Sequence, residues 1–459
     1  MRRKALLLSL SLLALNAFAQ QKQAPPAPGT PRNFAIPSIR RMELPNGLKV
    51  RFVPYGEVPK VTLRLVTQTG NIDESANEVW LADLTGTMME QGTATRSADQ
   101  IAREVAMMGG ALDISVGMNQ TTVGTDVFSE SAVPAVQLIA DVARNPKLPE
   151  TELARLKADL ARNLSLQRGQ QQSLAAEKFA SVLFPNSPYG RMFPSEAMLQ
   201  GYTLEQVRNF HAKNFGAARS FLYVVGRFDA AAVENAIRAS FGDWKAGNAA
   251  TKPSVSPVAR RGVYFIDRPG AVQSTVYVGL PVIDAAHSEY LPFTVMNALL
   301  GGSFGSRITS NIREQKGYTY SPGSAINSRL GAASWAEMAD VTTNVTGPSI
   351  KEILGEIERL RKEPPTDEEL RGIQNYLAGT FVLRNSSRPG IAAQLAFLDL
   401  YGLSEDYLRN YVQQVYALKP ADLQRLAQTY VDPAKIAIVV VGDPATVPQQ
   451  LKDYGDIVR

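Results

Sequence analysis

Two segments of this 459-residue chain follow the same pattern 216 positions apart, and this repeat constrains the fold more than any other feature of the sequence. Residues 202–226 and 419–442 each combine an amphipathic helix pattern, a short break with a basic residue, and an apolar run that ends in Val-Val-Gly. Arg219 corresponds to Lys435, and Val225 corresponds to Val441. Solenoid repeats are roughly 20 to 50 residues long. The much longer period indicates a duplicated domain.

The beginnings of the two halves also correspond. Residues 47–66 and residues 262–278 each read as two alternating apolar runs around a turn, which is typical of a strand pair. Amphipathic helices are predicted over Pro149–Gln167 and Thr366–Leu383 from the spacing of their leucine and isoleucine residues. These patterns predict an α+β fold of two homologous domains, each a mostly antiparallel sheet covered by helices on one face.

We place these domains at residues 40–243 and 260–450. Between them, residues 244–259 are rich in proline and small residues, which is a linker composition. Residues 20–39 are rich in proline and glutamine and read either as an extended tether or as a stub without a role.

Residues 1–19 resemble a secretory signal. A basic start is followed by eleven largely apolar residues and by Ala17-Phe18-Ala19, which fits a small-x-small cleavage site. The alternative, a short membrane anchor, is disfavoured because spanning a bilayer takes about 20 apolar residues. We therefore expect an exported protein with no membrane span, and the periplasm of a Gram-negative cell suits these features.

Composition excludes several kinds of site. The chain has no cysteine, so it has no disulfide framework, thiol nucleophile or cysteine-ligated zinc. Its two histidines, His211 and His287, are too far apart in sequence to form a local metal-binding pair. The formal net charge of +5 falls further when the basic signal is removed, which gives no argument for binding nucleic acid.

Several short segments carry a family resemblance that covers most of residues 40–450. The segments Leu44-Pro-Asn-Gly-Leu-Lys-Val, Gly92-Thr93 and Pro188-Tyr-Gly-Arg are similar to landmarks of the pitrilysin/insulinase metallopeptidases, the inverzincins. The chain most resembles their short two-domain members of the mitochondrial-processing-peptidase type. This family binds zinc through His-x-x-E-His on a helix, where the glutamate activates a water molecule.

In this chain, the residues at the motif positions differ from those of the family. Counting back from the Gly-Thr pair places the motif on residues 83–87, where Asp83 and Thr87 replace the histidines and Gly86 replaces the glutamate. The family's third ligand, a glutamate, falls near Asn163. Since threonine is a poor zinc ligand and one aspartate cannot form a tetrahedral site, the resemblance implies no zinc in this chain. A weak cation site at Asp83 and Glu90 stays open, as does residual hydrolysis at a rearranged metal site.

The second half keeps a different family landmark. Ser306-Arg-Ile and the segment from Ile312 to Ser321 are similar to the family's Ser-Arg-Leu and Leu-Arg-Glu-x-x-Gly-Leu-x-Tyr-Ser. The resemblance implies that Arg313 and Tyr320 form the substrate-side pair of the active site. A tyrosine hydroxyl can donate to the carbonyl oxygen that becomes negative during peptide hydrolysis, and an arginine can hold a backbone carbonyl or carboxylate.

Alternatives for these residues remain. Arg313 could be a surface residue paired with Glu314, and Tyr320 could be a core residue of a strand predicted over Tyr318–Ile326. We expect Gly317 to end the helix that carries Arg313. The glycine-rich segment 301–305 lacks the lysine of a phosphate-binding loop, so we predict a flexible or closely packed loop near the substrate.

In some members of the family, the zinc motif and the Arg/Tyr pair belong to different chains. The resemblance therefore implies a non-catalytic subunit of an exported heterodimeric zinc peptidase, with Arg313 and Tyr320 acting in trans on a peptide substrate. Zinc is then expected in a homologous His-x-x-E-His partner. The alternative is a catalytically inert peptide-binding or scaffold protein of the same fold.

Overall fold

The computed structural model describes residues 35–250 and 252–459. The predicted signal and most of the predicted tether lie outside these residues. Residues 35–39 precede the first strand without regular structure, and Ile36 and Ile39 pack against buried apolar residues. Among the described residues, no helix is both long and apolar enough to cross a bilayer.

The first half contains a six-stranded sheet in the order β1-β2-β6-β3-β5-β4. Its central strand β6 pairs in parallel with β2 and antiparallel with β3, and the remaining pairs are antiparallel. Every residue of β6 is buried, because both faces of this Val- and aromatic-rich strand are covered. The strands are β1 Arg40–Glu43, β2 Lys49–Pro54, β3 Lys60–Thr67, β4 Asp113–Val116, β5 Thr121–Phe128 and β6 Ser220–Gly226.

The second half contains a six-stranded sheet in the order β12-β7-β11-β8-β10-β9, which repeats the first topology apart from the edge strand β12. Gly226 lies opposite Val61 in the first sheet, and Val441 lies opposite Thr275 in the second. The duplicated α+β fold predicted from the sequence is confirmed. The strands are β7 Gly262–Asp267, β8 Gln273–Val282, β9 Gly323–Arg329, β10 Ala332–Thr342, β11 Ala437–Gly442 and β12 Ile457–Val458.

The two long predicted helices are present. The first spans Glu150–Gly169, and the second spans Asp367–Asn385 after a capping box at Thr366. The helices are α1 Leu81–Met89, α2 Ala98–Met107, α3 Ala132–Arg144, α4 Glu150–Gly169, α5 Gln171–Leu183, α6 Glu196–Gly201, α7 Leu204–Asn214, α8 Ala230–Phe241, α9 Tyr290–Asn297, α10 Arg307–Thr309, α11 Thr346–Lys362, α12 Asp367–Asn385, α13 Arg388–Tyr401, α14 Asp406–Arg409, α15 Tyr411–Ala417, α16 Pro420–Tyr430 and α17 Val447–Leu451.

Each half packs its own helices on one face of its sheet, as predicted, and each sheet is also covered on its other face by the opposite half. Helix α13 of the second half packs Ile391 and Leu395 with Tyr223 of the first sheet. Helix α5 of the first half packs Phe179 with Val439 of the second sheet. The Tyr223 hydroxyl also donates a 2.9 Å hydrogen bond to Asp399. This exchange of covering helices joins the two halves through apolar contacts.

Candidate functional site

Helix α1 carries the residues at the zinc-motif positions. It begins after Trp80, whose backbone is left-handed with φ 69°, and it buries Leu81, Leu84 and Met88 against the first sheet. Asp83, at the first histidine position, lies in the first turn and is half-buried. The helix predicted from the family spacing is therefore present.

Asp83 belongs to a buried acidic cluster with Asn71 and Glu74. The Asn71 side-chain amide donates to Asp83 at 2.6 Å and to Glu74 at 3.1 Å. The Glu74 carboxyl also accepts from the backbone N–H groups of Trp80 and Ala82, at 3.2 and 2.8 Å. Burial raises the pKa of Glu74 to about 8 and raises the pKa of Asp83. The carboxyl groups of Asp83 and Glu74 thus already accept hydrogen bonds from side-chain and backbone N–H groups of this chain.

The residues at the other two motif positions, Gly86 and Thr87, have close neighbours or partners within the first half. A Cβ on Gly86 would lie 2.5 Å from Cγ2 of Val116, so a strand side chain fills the space into which a glutamate would extend. The Thr87 hydroxyl donates within its own helix, to the carbonyls of Asp83 and Leu84 at 3.1 and 3.0 Å. Asn163 lies on helix α4 with an exposed side chain.

Neither histidine completes a metal site. His211 donates from Nε2 to the carbonyl of Ala143 at 2.9 Å and stacks on Phe215, and burial lowers its pKa. His287 accepts from the backbone N–H of Glu289 at 3.1 Å. Residues 35–250 and 252–459 contain no group of three or more histidine or acidic side chains that could hold a metal ion. The residues at the motif positions therefore do not fit zinc.

The segment that carries Arg313 is a distorted helix. Helix α10 continues into a π-helical turn over Ser310–Gln315, a distortion found often at functional sites. Gly317 ends it with φ 65°, and its N–H donates to the Arg313 carbonyl at 3.1 Å. Gly317 thus has the predicted helix-ending position.

Arg313 and Tyr320 lie together. The Arg313 guanidinium carbon is 5.0 Å from the centre of the Tyr320 ring and 4.3 Å from the centre of the Phe304 ring. Tyr320 is 80% exposed and Phe304 is 72% exposed, although aromatic rings normally lie at least partly buried. The ion pair of Arg313 with the exposed Glu314 is also present, at 3.5 Å. Arg313 is thus held between two exposed rings.

The predicted strand over Tyr318–Ile326 was wrong at its start. Strand β9 begins at Gly323, and only Thr319 makes an isolated bridge to Val341 before it. Pro322 has no N–H to donate to the ladder, which explains why pairing does not extend back to Tyr320. Tyr320 is consequently a loop residue that faces solvent.

Arg313 and Tyr320 line a cavity of about 350 Å³ together with the predicted glycine-rich segment. Gly301 and Gly302 form part of a second π-helical turn, Ala298–Gly302. Just after this segment, Arg307 donates to both carboxylate oxygens of Glu369 at 2.8 and 3.0 Å. This hydrogen bonding lowers the pKa of Glu369 to about 2. Gly301 is buried, whereas Phe304 and Gly305 are exposed and a Cβ on Gly305 would meet nothing within 4 Å, so the segment is closely packed only at its start.

Sequence reasoning missed Glu337, which lies against this segment. Glu337 is fully buried on β10, no described side chain forms a hydrogen bond with its carboxyl group, and burial raises its pKa well above the ordinary value. A Cβ on Gly301 would lie 2.2 Å from Glu337 Oε2 and 2.9 Å from Cβ of Ser324, so a larger residue there requires these side chains to move. The sequence does contain a sign that Glu337 is buried. Trp335, Glu337 and Ala339 lie on the same face of a strand, and the two neighbours of Glu337 on that face are apolar.

Two family models match the chain. One, described as insulinase (peptidase family M16), matches residues 55–193, and the other, described as the peptidase M16 inactive domain, matches residues 201–377. A protein of Rickettsia felis named an uncharacterized zinc protease is 25% identical over 341 residues, which cover 74% of this chain and 81% of that protein. A similarly named protein of Mycobacterium tuberculosis is 22% identical over 90% of this chain and 96% of its own length.

Two solved structures share the fold. A peptidase M16 inactive domain from Pseudomonas fluorescens superposes with a TM-score of 0.82 at 24% identity, covering 88% of this chain and 98% of that one. A protease from Helicobacter pylori superposes with a TM-score of 0.83 at 19% identity, covering 89% of this chain and 100% of that one. Both likenesses concern the fold alone.

Proposed function

This chain belongs to the M16 (insulinase) family of peptidases, and we propose that it is the zinc-less subunit of an exported heterodimeric zinc metallopeptidase that degrades or processes peptides. Its partner is a homologous subunit with an intact His-x-x-E-His motif. Arg313 and Tyr320 of this chain extend toward the partner's active site and hold the substrate there.

The observation that carries this proposal is the exposed stack of Phe304, Arg313 and Tyr320. Single exposed apolar residues are common, but three aromatic side chains, with Tyr376 at 47% exposure, line one small cavity beside a cation. A cavity with such a lining suits an extended peptide or a partner surface. The Tyr320 hydroxyl can donate to the carbonyl oxygen on which charge develops, and the Arg313 guanidinium can hold a neighbouring backbone carbonyl.

The first half supports the same assignment, because its residues do not fit a metal site. The contact between Gly86 and Val116 leaves no space for a general base, and the Asp83 carboxyl is held by Asn71. The relatives named zinc proteases support peptides as the substrate class. A chain that keeps the substrate-side pair but lacks a metal site fits a division of labour between two subunits.

Export is part of the proposal. The basic start, the apolar run and the Ala17-Phe18-Ala19 site support secretion, and the periplasm is the compartment we propose. The absence of cysteine from the whole sequence is compatible with an oxidising compartment.

The proposal is tested by replacing Tyr320 with phenylalanine in the assembled complex. The purified chain is combined with a homologue of similar length from the same genome that carries His-x-x-E-His, and cleavage of an unstructured fluorogenic peptide is followed. We expect Tyr320→Phe to reduce the turnover number about a hundredfold, because one donor to the developing charge is lost. Assembly, measured by size-exclusion chromatography, should be unchanged.

The control is Tyr416→Phe, which removes a hydroxyl that donates to Asn375 at 2.8 Å away from this cavity. It should leave turnover as in the wild type. Wild-type turnover in the Tyr320→Phe complex would defeat the role of the pair. No cleavage by any combination with the partner would instead favour an inert peptide-binding or scaffold protein.

A further inference from the structure

A second cavity lies between the two halves of the chain, apart from the one that contains Arg313. Its volume is about 400 Å³, which is within the roughly 300 to 1,000 Å³ range of small-ligand pockets. One wall is helix α5 of the first half, with Phe179, and the other wall is the face of β9 and β10 in the second half. Met192 stands at its edge and is 36% exposed, which indicates an opening to solvent.

The strand wall of this cavity has a polar end and an apolar end. The register of β9 and β10 places Arg329 beside Ala332, Asn327 beside Ser334, and Ala325 beside Ala336. Side chains of alternate strand residues share a face, so these pairs follow one another along the cavity at about 6.6 Å intervals. The apolar end continues with Met338 and Tyr277, which are paired across β10 and β8.

Arg329 is a cation of this cavity that has no hydrogen-bond or ion-pair partner among the described residues. Among the described residues, no side chain or backbone carbonyl forms a hydrogen bond or ion pair with its guanidinium, and the groups that act on its charge are Tyr401 and Tyr189 without any carboxylate. The Tyr189 hydroxyl is already engaged, because it donates to the Leu330 carbonyl at 2.9 Å and accepts from Asn119 at 3.0 Å. Its nitrogens are not among the buried atoms that lack a partner, so this half-buried guanidinium can accept an anionic ligand that enters the cavity.

The second arginine of the cavity is partly engaged. Arg191 donates to the backbone carbonyl of Glu74 at 3.1 Å, which ties it to the acidic cluster at the start of helix α1. Asn327 and Ser334, in contrast, place an amide and a hydroxyl in the next pair along the cavity from Arg329. The polar end therefore combines Arg329, whose guanidinium has no partner among the described residues, with two neutral hydrogen-bonding groups.

We propose that this cavity, the Arg329 pocket, binds the free C-terminal carboxylate of a peptide together with its apolar last side chain. Arg329 holds the carboxylate, Asn327 and Ser334 bind the last peptide group, and the apolar end receives the side chain. A fatty acid offers the same carboxylate on an apolar body but has no amide group for Asn327 and Ser334. The choice of a peptide as the ligand rests on the proposed function. The Arg329 pocket then makes peptides with an apolar residue at a free C-terminus the preferred substrates.

The full chain alone, without a partner, provides the test. Fluorescence anisotropy measures binding of a fluorescein-labelled pentapeptide that ends in leucine, first as the free acid and then as the C-terminal amide, with decanoate as a competitor. We expect the free acid to bind at least about tenfold more tightly than the amide, because an arginine–carboxylate pair is lost in the amide. Decanoate should compete more weakly than the unlabelled peptide acid.

Two variants and one control accompany these ligands. Arg329→Met should remove the preference for the acid, and Ala176→Phe should block both ligands, because Ala176 lines the cavity. The control Arg162→Met changes an arginine on helix α4 that is 71% exposed and pairs with Asp159, and it should bind as the wild type does.

Equal binding of acid and amide to the wild-type chain would overturn the proposal, and so would no detectable binding of either peptide. Tighter binding of decanoate than of the peptide acid would also overturn it, in favour of a fatty acid. The comparison of acid with amide uses only the wild-type chain, so it holds even if Arg329→Met fails to fold. Since no partner is present, failure of the complex to cut peptides would leave this result unaffected.

Discussion

Val116 occupies the space in which the family's catalytic glutamate would lie. The distance of 2.5 Å from its Cγ2 to a Cβ built on Gly86 is far below an ordinary contact between carbon atoms. The position that corresponds to this glutamate is thus closed by a side chain of strand β4. Restoring a side chain at position 86 requires a change in strand β4 as well.

We expect Gly86→Ala to lower the free energy of unfolding by about 1 kcal/mol or more, because the added methyl group overpacks helix α1 against β4. Urea unfolding followed by circular dichroism measures this change. Gly379→Ala is the matched control, since Gly379 also lies inside a helix but a Cβ there meets nothing within 4 Å. It should raise the free energy of unfolding by about 0.4–1 kcal/mol. A stable Gly86→Ala variant would contradict the packing of Val116 described above.

Glu74 predicts a pH dependence of stability. Burial raises its pKa in the folded protein from 4.5 to about 8, so between these values the folded state binds a proton that the unfolded chain has released. Its contribution to stability is therefore fully present below pH 4.5 and is lost as the pH rises through about 8. The nearby Asp83 carboxyl, whose pKa is also raised by burial, acts in the same direction.

Glu74→Gln should weaken this dependence. Relative to the wild type, the variant should gain stability between pH 5 and pH 8, as measured by urea unfolding at both values. Glu57→Gln is the control, because the Glu57 side chain is fully exposed and its charge is already solvated. An identical pH dependence in the wild type and Glu74→Gln would show that Glu74 does not titrate in this range.

Sequence reasoning located residues better than it described their surroundings. Asp83, Gly86 and Thr87 could be placed on one helix by counting from a landmark, since helix spacing is regular. The contact of Gly86 with Val116 could not be predicted, because it joins residues of different elements whose packing depends on the whole half. Glu337 was missed because an acidic residue is normally expected at the surface.

At the scale of elements, long periodic segments were predicted well and irregular ones were not. The central strands β6 and β11 end at Gly226 and Gly442, at the predicted offset, because fully buried Val-rich runs have few alternative structures. The start of β9 was missed because Pro322 interrupts pairing after an alternating sequence. The π-helical turn over Ser310–Gln315 has no comparable signal in the sequence.

The covering helices show another limit of sequence-based prediction. The apolar face of helix α5 indicates that the helix packs against something, but its sequence does not say which sheet it covers. Phe179 packs with Val439 of the opposite half, and Tyr223 of the first half packs with Ile391 in return. Such contacts between distant parts of the chain depend on tertiary packing, which local patterns do not contain.

At the scale of the whole molecule, the two halves have diverged in what they retain. In the first half, a side chain of strand β4 closes the space beside Gly86 on helix α1. In the second half, Arg313 and the exposed Tyr320 line a cavity together with Gly301 and Gly302. Because helices α5 and α13 each cover the other half's sheet, the apolar contact between the halves is extensive. The two halves of the described chain are therefore joined through two shared apolar clusters.

The most direct test of this account is the zinc content of the isolated chain. The metal-free protein is dialysed to equilibrium against zinc, and bound metal is measured alongside the His-x-x-E-His homologue as a positive control. We predict one zinc per homologue and far less than one per molecule of this chain, with no peptide cleavage by the chain alone. One zinc per chain that is lost in Asp83→Ala, together with peptide cleavage, would contradict the account.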